Sequence, residues 1–113
     1  MINPSKEMTM PKGTGKFIKI ENPKLSRSGA LGWATVPRGE RTELWSIRKA
    51  EAVDGEAEST MRHLFQIAHL GGVSRLSRVT FMGQHFRVLR VSQASRLNGM
   101  ELQCEAIREP VGV

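Results

Sequence analysis

Apolar and polar residues alternate with a period of two along much of this chain, and that period predicts strands rather than helices. The clearest stretch is Ser77-Arg78-Val79-Thr80-Phe81-Met82-Gly83-Gln84-His85-Phe86-Arg87-Val88-Leu89, which reads as two strands joined by a Gly83-Gln84 turn of type II′. That turn sets Met82 opposite His85, Phe81 opposite Phe86 and Val79 opposite Val88. Val79, Phe81, Phe86 and Val88 then share one face, and Arg78, Thr80 and Arg87 share the other. Cross-strand aromatic and β-branched pairs of this kind contribute roughly 0.2–1 kcal/mol each.

Further strands follow from the same period. Phe17-Ile18-Lys19-Ile20 is a short one that Asn22-Pro23 should end, and Trp33–Val36 is another inside the Gly- and Arg-rich loop 24–41. Thr42–Arg48 places Trp45 and Ile47 on a core face, with Leu44 on the other. Residues 61–70 fit either a helix face or a buried strand, and a strand is favoured because the downstream meander needs a partner at its edge. After the central hairpin the chain stays extended to Leu97 and turns at Asn98-Gly99, which would set Arg96 opposite Glu101 and Val91 opposite Ala106. Met100, Leu102, Cys104 and Ala106 then alternate with Glu101, Gln103 and Glu105. Val88 and Val91 have opposite parity, so both reach one core only if a bulge falls near Leu89-Arg90. The predicted fold is all-β, a small barrel or sandwich of antiparallel strands with long loops and at most one short helix. Residues 1–15 read as a flexible arm, 16–109 as a single domain and 110–113 as a tail.

Composition alters this picture little until charge is mapped. The 113 residues carry a net charge of +6, and between Glu58 and Glu101 there is no acidic residue, whereas Arg62, Arg75, Arg78, Arg87, Arg90 and Arg96 lie in that interval. Just before it, Glu51, Asp54, Glu56 and Glu58 surround an Asp54-Gly55 turn. Such a charge dipole suits either nucleic-acid contact or charge-matched subunit packing. No apolar run reaches membrane-span length and no leader-like segment opens the chain, so a soluble intracellular protein is expected.

Candidate chemistry is sparse. Gly13-Thr14-Gly15-Lys16 lacks the spacing and the Ser/Thr of a phosphate-binding loop, because Phe17 follows the lysine. The lone Cys104 excludes an internal disulfide, and His63, His69 and His85 with Cys104 lack a ligand spacing suited to a metal. No carboxylate stands near a histidine in an acid–base arrangement, so neither catalysis nor a cofactor is expected.

Trp45, the small acidic insert, a strand ending in Gly71-Gly72, then Ser77-Arg78-Val79, Gly83-Gln84-His85-Phe86, Val88, Val91 and Leu102-Gln103-Cys104-Glu105 follow one another in an order that resembles the head-closure family of tailed bacteriophages, also called stoppers or head-tail joining proteins. The likeness spans roughly residues 16–109. It implies a small β-barrel assembled as a homo-oligomeric ring in the neck of the virion, with a portal-adaptor protein above, a tail terminator or tail tube below, and packaged double-stranded DNA in the channel. The channel-facing loop would carry Glu51, Asp54, Gly55, Glu56 and Glu58. Arg62, Arg75, Arg78, Arg87 and Arg90 would face neighbouring subunits or rings, over a core of Trp45, Ile47, Val79, Phe81, Phe86, Val88, Leu102 and Cys104. A sibling connector role, adaptor or tail terminator, is the nearest variant. The alternative from a different class is a basic β-barrel that binds single-stranded nucleic acid, which requires aromatics on an exposed sheet face.

Overall fold

A computed structural model describes residues 13–51, 61–94 and 98–108. All regular structure among them is strand: β1 (Phe17–Leu25), β2 (Leu31–Thr35), β3 (Thr42–Glu43), β4 (Ser46–Glu51), β5 (Met61–Ala68), β6 (Arg78–Phe81), β7 (Gln84–Gln93) and β8 (Gly99–Ala106). They form one antiparallel sheet in the order β2-β1-β6-β7-β8-β5-β4, with β3 paired to β1 off that path. The expected fold class is thus found, and residues 61–68 are strand. The sheet is not closed into a barrel.

Inward-facing residues of β1, β5, β6, β7 and β8 meet in one cluster that includes Ile18, Ile20, Phe65, Ile67, Val79, Phe86, Val88, Leu102 and Cys104. Phe65 lies on β5 and Phe81 on β6, three places apart in the sheet, yet their ring centroids stand 5.6 Å apart, edge to face. The sheet therefore coils over its own inner face, as large twisted sheets must to bury one side.

The central hairpin turns one residue earlier than the Gly-Gln rule suggested. Val79 faces Phe86, Thr80 faces His85 and Phe81 faces Gln84, leaving Met82-Gly83 as the two-residue loop. Met82 has φ 51° and Gly83 φ 78°, the pair of positive angles that defines a type I′ turn. Gly83 thus serves at the second central position, where a II′ turn would have used it at the first. Moving the turn by one residue shifts the pairing by two, so the parity of the faces survives. Val79, Phe86 and Val88 are buried and Phe81 packs against them partly exposed, while Met82 is 82% exposed.

Other expectations need correction. Strand β1 continues through Asn22-Pro23 to Leu25, because from Pro23 onward it pairs only with β2, so the proline leaves no bond to β6 unmade. Thr42–Arg48 is not one strand. The chain breaks at Leu44-Trp45, and the Leu44 N–H donates to Lys16 on the β1 side while the Trp45 N–H donates to Gln66 on β5. This break drives Leu44 into the core at 0% exposure and leaves Trp45 half-buried, with Ile47 at the core margin. The anticipated bulge is present between Val88 and Arg90. Beyond it Val91 pairs with Leu102 rather than Ala106, and Glu101 faces Ser92 rather than Arg96, which lies outside the described residues. The ladder closes with Gln93 opposite Met100 and the Ala94 N–H donating to Gly99, so the loop to Asn98 is longer than two residues. At the other end, Thr14 donates both its N–H and its hydroxyl to the Leu44 carbonyl, so the last residues of the expected arm are fastened to the sheet.

Candidate interaction surface

The outward face of the sheet gathers the polar side chains of its strands into rows. In register, Glu21 on β1 lies opposite Arg78 on β6, Arg78 opposite Arg87 on β7, and Arg87 opposite Glu105 on β8. Arg62 on β5 completes the row by donating to Glu105 at 2.6 Å. Arg78 and Arg87 would repel as direct neighbours, and each turns away to a carboxylate. Arg78 donates to Glu21 Oε1 at 2.8 Å and lays its guanidinium 4.2 Å over the ring of Trp33. Arg87 donates to Glu105 Oε1, leaving that carboxylate shared between two arginines. A second row holds Arg48 and Gln66 on Glu101, each at 3.0 Å.

These contacts change the electrostatic reading of the chain. The acid-free interval is segregated in sequence only, because antiparallel pairing brings Glu21, Glu101 and Glu105 from outside it onto the arginine strands. Burial pushes the Glu21 carboxyl upward, but hydrogen bonding and charge from Arg78, with Lys19 beside it, outweigh that and hold it below its ordinary value. Glu105, placed by its alternation on the polar face of β8, is the acceptor that sequence reasoning left without a role.

Satisfaction is incomplete toward solvent. The Arg62 and Glu105 side chains are 12% and 14% exposed, whereas that of Arg87 is 64% exposed. Arg75 and Arg90 are exposed and make no ion pair among the described residues. Arg62, Arg75, Arg87 and Glu105 line a groove of about 570 Å³ with Leu76 on its wall. Of the five arginines assigned to an interface, three thus share this groove, Arg78 stands beside it in the row, and Arg90 follows the bulge. Of the acidic segment, Glu51 ends β4 opposite Met61, exposed; Asp54, Gly55, Glu56 and Glu58 lie outside the described residues.

On the inner face His63 lies opposite Cys104. Its ring stands 4.7 Å from that of Phe86, and its buried Nδ1 has no hydrogen-bond partner. Burial, helped by the charge of Lys49, pushes the imidazole below its ordinary value. Burial also pushes the Cys104 thiol up to about 12, which makes it an inert core group rather than a nucleophile. His85 shares a 2.8 Å bond with Thr80. Among the described residues no three His, Cys, Asp or Glu side chains converge on a point where a metal could sit.

Comparison of the chain with protein-family models and with curated proteins finds no match.

Proposed function

We propose that the chain is a structural subunit of a phage head-tail connector, a head-closure protein forming a homo-oligomeric ring beneath the portal and its adaptor. There it would retain packaged DNA and offer the tail its attachment site. The observation that carries this reading is the way the acidic insert is mounted. The strands on either side of residues 52–60 pair up to Glu51 opposite Met61, and β4, which carries Glu51, is the edge strand of the sheet. A sheet edge that leads into a carboxylate-rich stretch of sequence suits a wall that DNA must pass without adhering, since carboxylates repel phosphates at close range. The exposed arginines of the outer face are left for protein neighbours, where bidentate pairing with carboxylates is available.

Single-strand binding is the weaker reading. It requires stacking aromatics on an open face, yet Phe86 is buried, Phe81 packs against the core, and Trp33 is already covered on one side by Arg78. The test is made on particles of the virus that encodes the chain. Without the protein, heads should package DNA and then lose it, and tails should fail to attach; tailed particles with full genomes in its absence would overturn the proposal.

A further inference from the structure

We infer that the groove between Arg62, Arg75, Arg87 and Glu105 is a docking site for an acidic protein segment that also carries apolar side chains. Three guanidinium groups border the groove against one carboxylate, so an approaching anion meets an excess of two positive charges. Glu105 cannot neutralise them all, because one of its oxygens is taken by Arg62 and the other by Arg87. Each guanidinium offers five N–H donors, and Arg87, its side chain 64% exposed, spends one of them on Glu105 among the described residues. The shared carboxylate nevertheless fixes where Arg62 and Arg87 point, which lowers the cost of ordering them when a partner arrives.

The opposite wall comes from the loop after β5, and it is braced. Ser77 donates its hydroxyl to Asn22, Asn22 donates to the Gly72 carbonyl at 2.7 Å, and the Ser74 N–H donates to the Ser77 hydroxyl at 2.9 Å. This network holds Arg75 and Leu76 out from the sheet, with Leu76 72% exposed. A large aliphatic side chain set beside unspent guanidinium groups, with no aromatic ring among the lining residues, matches a peptide that presents a carboxylate next to an apolar residue. A phosphate backbone would use the arginines and gain nothing from Leu76. That the partner is another connector protein rests on the function proposed above; the chemistry of the groove does not.

The probe is a short synthetic peptide in which glutamates alternate with leucines, titrated into the isotope-labelled full chain. Saturable amide shifts centred on Arg75, Leu76 and Arg87 are expected. Arg75→Glu should weaken binding about tenfold or more, and Leu76→Ser should weaken it measurably. Both positions are exposed and lie outside the strands, so the variants should keep the parent's spectrum elsewhere. No saturable shifts, or shifts centred on another surface, would overturn the inference. So would a duplex DNA of equal charge that binds more tightly and is indifferent to Leu76→Ser, which would make the groove a phosphate surface. Peptide binding in solution by a protein absent from particles would leave the groove standing and remove the connector role; the reverse would remove only the groove.

Discussion

At the scale of single residues, the surroundings of His63 should tie the stability of the fold to pH. Its Nδ1 is buried without a partner on the inner face, with the Phe86 ring against it, Cys104 opposite and the Lys49 charge acting on it. Folding therefore favours the neutral imidazole, and the unfolded chain binds the proton more readily. The stability this contributes is complete above the ordinary value of 6.5 and is lost as pH falls below it toward the lowered folded value. Glu21 has the same sign in a different window, because its lowered value makes its contribution fade only below about 4.5. Denaturant midpoints should thus fall between pH 7.5 and 5.5, and His63→Leu should remove much of that fall. An unchanged pH profile in the variant would show that other groups govern it.

Elements differ in how much of them the residue pattern could reveal. Period-two alternation located the strand faces, and the parity conflict between Val88 and Val91 located the bulge, because both depend only on which side of a pleat a residue occupies. Turn position was less legible. A glycine fits either a I′ or a II′ loop, and the choice here depends on Met82 accepting a positive φ of 51° that its sequence gives no sign of. The break at Leu44-Trp45 was hidden for a related reason: one strand serves two partners, and only the tertiary pairing with Lys16 and Gln66 decides that leucine and not tryptophan goes inward. The turn yields a direct test. Asparagine tolerates the left-handed region and heads the favoured Asn-Gly I′ loop, and Met82 has an 82% exposed side chain with little packing to lose. Met82→Asn should stabilise the protein by up to about 1 kcal/mol by easing the left-handed conformation, read as a higher unfolding midpoint. A destabilised variant would argue against the I′ geometry.

Across the whole molecule, the charge pattern reversed its meaning between sequence and fold. An interval of arginines without acids read as the basic pole of a charge dipole along the sequence, but strand order carried Glu21 to one side of it and Glu105 to the other, a consequence of topology that local composition cannot express. The face is therefore self-paired at its base and basic at its rim, and the two layers should separate under mutation. Glu105→Gln leaves the nearly buried Arg62 with no carboxylate, and breaking such a pair from one side costs about 3 kcal/mol. Arg87→Gln removes a largely exposed partner from the same carboxylate, and an exposed ion pair contributes only about 0–1 kcal/mol. Unfolding midpoints of the two variants should differ accordingly, with the double variant close to Glu105→Gln alone because both changes disrupt the same Arg87–Glu105 contact. Equal losses from the two single variants would mean that Arg87, not Arg62, anchors Glu105, and that the guanidinium excess of the groove belongs to the frame instead of its binding surface.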